Sequence, residues 1–186
     1  MLYYNQCYHG TTQDSKDLII KEKKFTYKKR KNHWLGYGAY FFLEDKDKAI
    51  WFINANTNPE VLNKPKCIIT AKIQIEDKKI LNLDTEAGRK NLSDFVKSLE
   101  KENLNIPNVK NDEKHCLIIN LYVEYFKMQA VKYTFHDNKI AYDDLNVCNA
   151  DYSEISNNNI QLNVIDQKII DFDNLVVENL KRGRLS

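Results

Sequence analysis

The sequence predicts an α+β domain in which strands and helices do not alternate regularly. Residues 67–75 alternate apolar and polar side chains, which is typical of a half-exposed strand. Leu92, Val96 and Leu99 instead recur at helical spacing. Because the helix-like and strand-like segments are not interleaved one for one, their order favours an α+β arrangement over a doubly wound parallel sheet.

The first third of the chain predicts a strand, a helix, a basic loop, a second strand and a second helix. The first strand is expected to stop at Cys7, and Asp14 or Ser15 is expected to cap the helix that follows. The aromatic segment 39–43 predicts a buried strand, and Asp45 is expected to cap the next helix. The inner side of that helix is expected to carry Ala49, Ile50, Phe52 and Ile53.

The rest of the chain predicts more strands than helices. A helix is expected over 93–103, whereas 116–126 suits a helix and would also suit a strand. A polar turn is expected at 157–159 and a charged, frayed tail from Glu178. The remaining segments predict strands over 67–75, 80–83, 129–135, 160–165 and 168–172. With five Gly, three Pro and no repeat or Gly/Ser linker, residues 1–186 are expected to form a single domain.

Composition excludes several classes of protein. The four cysteines are far apart and form no C-x-x-C pair, so a zinc site has no spacing to rest on. Free thiols are typical of proteins in a reducing compartment. No signal peptide is recognisable, and no apolar run approaches the roughly 20 residues that span a bilayer. A cytoplasmic protein without a membrane segment is therefore expected.

Positively charged residues are concentrated in one segment of the chain. Residues 21–31, here called the basic segment, hold seven Lys or Arg against the single Glu22. A local block of this kind can hold phosphates, or it can be a solvated loop.

Three places offer chemistry, and each also has a plain structural interpretation. His9 and Gly10 combine a ring donor with an open backbone, but a lone His-Gly is more often a surface turn. The glycines of segment 36–42 resemble a phosphate loop only superficially, because they precede a strand, and a tight turn explains them as well. Trp51 follows Tyr40 by eleven residues on the next helix, where a Trp is usually core, although the two rings could also enclose a third.

Taken together, these residues resemble the His-Tyr-Glu branch of the ADP-ribosyltransferase superfamily, which includes poly(ADP-ribose) polymerases and diphtheria-toxin-like enzymes. Residues 9–11 read His-Gly-Thr, like that family's His-Gly-Ser/Thr motif. Residues 36–41 read Gly-Tyr-Gly-Ala-Tyr-Phe, like its Gly-x-Gly-x-Tyr-Phe segment, and Trp51 falls where a second stacking aromatic is expected. Phe25 and Trp34 add a likeness to small bacterial members, some of which are toxins or phage-defence effectors. The resemblance covers residues 8–53 well and 129–170 loosely.

The resemblance implies a split, mixed or antiparallel sheet with flanking helices, and NAD as the substrate. It implies that His9 binds ribose hydroxyls and that Gly10 offers its backbone to the nicotinamide carboxamide. Tyr40 and Trp51 would enclose the nicotinamide ring. Thr11 and Gly38 complete the expected NAD-binding set, and no metal is expected.

The family's third residue, a Glu on a late strand, falls on Gln161 here. Alternation places Gln161 and Asn163 on one side of that strand, which supports the assignment. An amide can hydrogen-bond a hydroxyl but cannot supply charge or act as a base. Three explanations stay open: a natural His-Tyr-Gln enzyme, an engineered substitution, or a carboxylate from elsewhere, with Asp151 and Glu154 the nearest candidates.

The resemblance therefore implies a mono-ADP-ribosyltransferase that cleaves the nicotinamide–ribose bond of NAD. The acceptor is expected to be a nucleic acid (RNA or DNA) or a protein, and a neutralising antitoxin is a further possible partner. Two other interpretations compete with it: an inactive module of the same fold that binds NAD or ADP-ribose, and an RNA 2′-phosphotransferase. The second is disfavoured because none of the four Arg lies in the motif segments.

Overall fold

The structure is a computed structural model that describes residues 1–30, 33–102, 109–140 and 156–181. Within these residues it has an α+β fold, as the sequence predicts, with one mixed seven-stranded sheet in the order β4-β5-β6-β2-β1-β3-β7. The strands are β1 Leu2–Thr12, β2 Ala39–Leu43, β3 Lys66–Ile75, β4 Ile80–Asn82, β5 Ala130–Ile140, β6 Ser156–Val164 and β7 Val176–Asn179. The helices are α1 Gln13–Glu22, α2 Lys46–Asn54, α3 Pro59–Leu62, α4 Glu86–Lys101 and α5 Asn111–Phe126. Neighbouring strands are antiparallel except for the parallel pair β4 and β5.

Alternation along the strands gives the sheet two apolar faces. The first face carries Cys7, Phe41, Ile69 and Leu162, and α1 covers it through Ile19. Phe25, which follows α1, completes this layer and is 1% exposed.

The second face is covered in two separate parts. Over β1, β2 and β3, helix α2 packs Ala49 and Ile53 against Phe42 and Ile68. Over β4 and β5, helices α4 and α5 pack around Val131. The border between the two parts falls near β2 and β6, where the predicted site residues Tyr40 and Gln161 lie.

Strands β1 and β2 separate part of the way along the sheet. Their ladder holds two register pairs, Cys7↔Leu43 and Tyr8↔Phe42. Beyond them β1 continues on β3 as far as the pair Thr12↔Lys66, and residues 39–42 of β2 pair with β6. The resemblance implied a split sheet; the seven strands are hydrogen-bonded into one sheet, and that sheet opens locally at this point.

The first strand is longer than its sequence predicts. We expected it to stop at Cys7, but β1 runs to Thr12 and pairs Gly10 with Ile68. The cap of α1 is accordingly Thr12, whose Oγ1 accepts from the Ser15 backbone N–H at 3.3 Å, and not Asp14 or Ser15. Pairing with a long neighbouring strand outweighs the local turn preference of a His-Gly sequence.

Asp45 caps α2 as predicted, with its Oδ1 accepting from the Lys48 N–H at 2.8 Å. On the inner side of this helix Ala49 and Ile53 are buried, whereas Phe52 is 55% exposed. Segment 116–126 is helical, and the helix predicted over 93–103 begins earlier, after its cap Thr85.

Three expectations near the C-terminus are wrong. Asn159 was expected in a polar turn but is a buried residue of β6. Residues 168–172 were expected to form a strand, but this region holds two short 3₁₀ helices, Gln167–Ile169 and Phe172–Asn174. Glu178, expected in a frayed tail, lies in β7 and pairs with Ile68. For Asn159 and Glu178 the partner strand, which the local sequence does not contain, decides the conformation.

Candidate functional site

His9 sits where β1 and β2 separate. Its Nδ1 lies 2.8 Å from the backbone oxygen of Tyr40. Its ring packs on the first face of the sheet, 5.0 Å from Phe25 and 5.7 Å from Phe41 between ring centroids. The imidazole thus bonds to β2 where a backbone ladder would otherwise have continued.

That hydrogen bond assigns the tautomer of the neutral His9 ring. A carbonyl oxygen can only accept, so Nδ1 carries the hydrogen and Nε2 of the neutral ring is an acceptor. Burial lowers the pKa of His9 from its ordinary value of 6.5, and the bond to Tyr40 opposes this shift only in part. At neutral pH the ring therefore offers one lone pair, suited to a hydroxyl donor.

Gly10 directs its backbone into the same opening. The Glu44 N–H donates to the Gln6 oxygen at 2.9 Å, and residues two apart along a strand face the same neighbour. The N–H and C=O of Gly10 therefore point toward β2, past the end of the ladder. A Cβ at Gly10 would lie 2.8 Å from the Ala49 oxygen and from Ile53 Cβ, so close packing of α2 also requires a glycine here.

Thr11 contributes less than expected. It is 8% exposed and pairs with Cys67 in the interior of the sheet. Thr12, which was not predicted as a site residue, carries the hydroxyl that caps α1.

Tyr40 holds the turn that precedes its own strand. Its hydroxyl accepts from the Leu35 N–H at 3.0 Å and donates to the Gly36 oxygen at 2.9 Å. Burial raises the pKa of Tyr40 well above its ordinary value, so the phenol stays protonated. Its ring lies 5.5 Å from that of His33.

Asn163 holds the same turn from β6. Its Nδ2 donates to the Leu35 oxygen at 2.6 Å and to the Gly36 oxygen at 3.1 Å. Gly36 has φ +78°, a conformation that favours glycine. A Cβ at Gly38 would lie 2.5 Å from the Val164 oxygen. The two glycines are thus explained by the turn itself and by its contact with β6.

Gln161 lies on the second face of the sheet, between Phe42 of β2 and Tyr133 of β5 in the register. Its Nε2 donates to Asn159 Oδ1 at 2.8 Å. The next residue on this side of β6 is Asn163, so this stretch of the strand presents amides. Asp151 and Glu154, the alternative carboxylates, lie outside the described residues.

Trp51 is 59% exposed on α2, and the Lys48 ammonium lies 4.8 Å from its ring centroid. The structure does not bring it into contact with Tyr40. The ring of α2 that contacts β2 is Phe52, at 5.6 Å from Phe42, and sequence reasoning had assigned Phe52 to the inner side of the helix.

Gly10, Tyr40 and Gln161 are therefore on three adjacent strands of the sheet, with His9 at the opening between two of them. The structure does not bring all the predicted side chains together, because the His9 ring lies on the first face, whereas Tyr40 and Gln161 lie on the second. The predicted enclosure of a ring by Tyr40 and Trp51 is not preformed, because Trp51 is 59% exposed and does not contact Tyr40; a lysine ammonium lies over one face of Trp51.

Two cavities are formed by described residues. One, of about 290 Å³, lies beside residues 3–6 of β1, Leu43 and Glu44. The other, of about 270 Å³, lies among β5, α4, α5 and the turn at Trp34. Neither is lined by His9, Tyr40 or Trp51. The second was not predicted, although the alternation of Tyr133 and Phe135 on one side of a strand was a readable signal.

The basic segment begins in α1 and continues as irregular chain. Lys23 pairs with Asp173 and Lys28 with Glu60, both at the exposed surface. Lys29 lies 5.3 Å from the Tyr37 ring centroid. Lys31 lies outside the described residues.

In the described part of the chain, no group of His, Cys, Asp and Glu side chains is arranged to hold a metal ion. The cysteines at positions 7, 67 and 116 are buried thiols, and burial raises the pKa of Cys7 to about 12. Across the described ranges, no helix is both long and apolar enough to traverse a bilayer.

Comparison with known proteins identifies one relative and no family. An uncharacterized protein of Methanocaldococcus jannaschii is 36% identical over 94 residues. The match takes in 50% of this chain and 42% of that protein, so the chain spans less than half of its length. No family model and no solved structure matches.

Proposed function

We propose that the chain binds NAD at the opening between β1 and β2 and transfers one ADP-ribose unit to a macromolecule. The observation that carries the proposal is the hydrogen bond from His9 Nδ1 to the Tyr40 oxygen. That bond holds the His9 ring beside the backbone of Gly10 at the end of the β1–β2 ladder. These are the two groups that the resemblance assigns to the ribose and to the nicotinamide carboxamide.

The proposed reaction needs little acid or base catalysis. The nicotinamide of NAD is a cationic leaving group, and it departs as a neutral molecule with the electrons of its bond to ribose C1′. A nucleophilic oxygen or nitrogen of the acceptor forms the new bond to C1′ and gives up its proton to water. The protein has to orient the ribose and stabilise its developing positive charge.

Gln161 is the residue proposed to contact the nicotinamide ribose. Its amide is already oriented by Asn159, at 2.8 Å. An amide can bind a hydroxyl but supplies no negative charge, so transfer should be slow and should stop after one unit.

Lys48 must move before the nicotinamide ring can stack on the face of Trp51 that its ammonium covers. Its ammonium occupies the face of Trp51, and the pyridinium of NAD is also a cation attracted to an aromatic face. When NAD binds, its pyridinium would replace the Lys48 ammonium on the face of Trp51.

Release of labelled nicotinamide from NAD tests the proposal. We expect His9→Ala and Tyr40→Ala to abolish release, whereas His136→Ala and Tyr3→Ala, which change exposed residues elsewhere, leave it intact. The circular dichroism spectrum and thermal midpoint of each variant establish that it is folded. Release that survives His9→Ala in a folded protein contradicts the assignment.

The third residue has its own test. Gln161→Ala should lower release sharply. If Gln161→Ala has no effect and Glu154→Ala abolishes release, the assignment of Gln161 is wrong.

A second candidate function is an NAD- or ADP-ribose-binding module without turnover. The observation that favours it is the run of amides on β6, Asn159, Gln161 and Asn163, where a carboxylate is expected. Calorimetric titration with NAD separates the two: binding without nicotinamide release supports the module, and absence of binding overturns both proposals.

The wider setting is proposed on the resemblance alone. It would make the chain a cytoplasmic toxin or anti-phage effector, restrained by an antitoxin. Arrested growth on expression, lost in His9→Ala, would support a toxin.

A further inference from the structure

The cavity of about 270 Å³ has three aromatic walls. Tyr133 and Phe135 stand on one side of β5, with their rings 5.0 Å apart. Trp34, in the turn before β2, also lines the cavity and is 52% exposed. The volume is near the lower end of the range for small-molecule pockets, so a single flat ring system suits it better than a long chain.

Two polar groups border this apolar space. Arg89 Nη1 donates to the Leu83 oxygen at 3.0 Å and to the Asp84 oxygen at 2.9 Å, so its guanidinium is already fixed. The His115 ring lies 5.6 Å from Trp34. Stacking surfaces with a few fixed donors match the needs of an unpaired nucleobase.

The rim toward the basic segment is positive. Cys116 Sγ contacts the Arg30 oxygen at 3.9 Å, which places Arg30 against α5 beside His115. Lys29 and Arg30 are exposed. The Asp84 carboxylate, whose residue binds Arg89 through its backbone oxygen, is engaged by Lys132 and by Thr134 Oγ1. Burial alone would raise the pKa of Asp84, but Lys132 and the bonds from Thr134 together bring that pKa below its ordinary value. Cations beside stacking rings are the usual combination in grooves that bind single-stranded nucleic acid.

The cavity adjoins the proposed NAD site. Tyr133, one of its walls, is the register partner of Gln161 on β6. A base held in the cavity would therefore lie next to the residue proposed to contact the nicotinamide ribose.

From these observations we propose that this cavity binds a base of single-stranded RNA or DNA, which makes nucleic acid the acceptor class. The inference of an acceptor rests on the proposed function, whereas binding of the nucleic acid does not. Trp34, Tyr133 and Phe135 enclose the base, Arg89 and His115 face its edge, and Lys29 and Arg30 lie along the backbone.

Trp34 provides the test. In a Trp51→Phe background it is the sole tryptophan, since the chain has two. Titration with a mixed-sequence single-stranded oligonucleotide, as RNA and as DNA, should quench its fluorescence, and binding should weaken as salt rises. The same sequence as a duplex should bind more weakly, because its bases are paired.

Substitution locates the binding. Trp34→Ala and Tyr133→Ala should each weaken oligonucleotide affinity, measured by fluorescence anisotropy, by about 5- to 150-fold. Tyr3→Ala, which removes an exposed ring from β1, should not change it. If Tyr133→Ala fails to fold, Trp34→Ala decides, because that exposed ring contributes little to the core.

Unchanged affinity in folded Trp34→Ala, or equal affinity for duplex, overturns the proposal. If the oligonucleotide does not bind while NAD still binds and releases nicotinamide, this inference is wrong and the proposed function stands. A protein acceptor then becomes the favoured class.

Discussion

Substitution of Asn163 by Ala should destabilise the fold far more than the same change at Gln161, two residues away. Asn163 is fully buried and donates to the oxygens of Leu35 and Gly36. The variant loses both bonds and leaves the Leu35 oxygen buried and unpaired, while Gly36 keeps its bond from Tyr40. Part of the cost is recovered because Asn163 Oδ1 is itself buried without a partner.

The expected loss for Asn163→Ala is about 2–3 kcal/mol in the free energy of unfolding. Gln161 is partly exposed and makes one hydrogen bond, to Asn159, so Gln161→Ala should cost about 1 kcal/mol or less. For a chain of 186 residues the Asn163 variant should melt about 4–12 °C lower.

Urea unfolding, followed by far-ultraviolet circular dichroism and tryptophan fluorescence, measures both variants. The slope of free energy against urea should stay constant, so that the change in midpoint reports stability. Equal losses in the two variants, or a loss below about 0.5 kcal/mol for Asn163→Ala, would refute the assignment of Asn163 to the turn.

Three further outcomes are expected. Gly38→Ala should lower the free energy of unfolding, measured by urea titration, by about 3 kcal/mol or more, because the new Cβ would lie 2.5 Å from the Val164 oxygen. A loss below about 1 kcal/mol would contradict this close packing. Burial lowers the pKa of His9 below 6.5. The contribution of the neutral ring to stability and to NAD affinity should therefore be present above pH 6.5 and lost as the pH falls through the lowered pKa. Calorimetric titrations at several pH values test this, and a loss of NAD affinity centred above pH 6.5 would contradict it. Lys48→Met should tighten the Kd for NAD by about two- to fivefold, because the face of Trp51 is vacated, and weaker binding would argue against the exchange of cations.

Periodicity identified the elements best where their local pattern and their partners agree. Residues 39–43 are apolar and aromatic, and they form a strand buried between β1 and β6. Asp45 was recognised as a cap because the bond of a side-chain oxygen to the first turn of a helix is local in sequence.

The candidate site could be predicted from the sequence only in part. His9, Gly10, Tyr40 and Gln161 were selected from the sequence, and they lie on neighbouring strands. The role of Asn163 in holding the turn at Gly36 could not be predicted, because its hydrogen bond to Leu35 joins residues 128 positions apart. The exposure of Trp51 depends on how α2 is rotated over the sheet, which the spacing of Trp51 from Tyr40 does not fix.

By itself, the sequence determined the α+β class, the aromatic strand, the capped helix after it and the candidate residues, because propensity, periodicity and capping act within a few residues. The tertiary structure alone decided that β1 runs through His9 and Gly10, that it parts from β2 there, and that an aromatic cavity forms beside Gln161. Strand pairing and burial depend on residues distant in the chain, and their free energy outweighs the weaker local preferences of a His-Gly or Asn-rich segment.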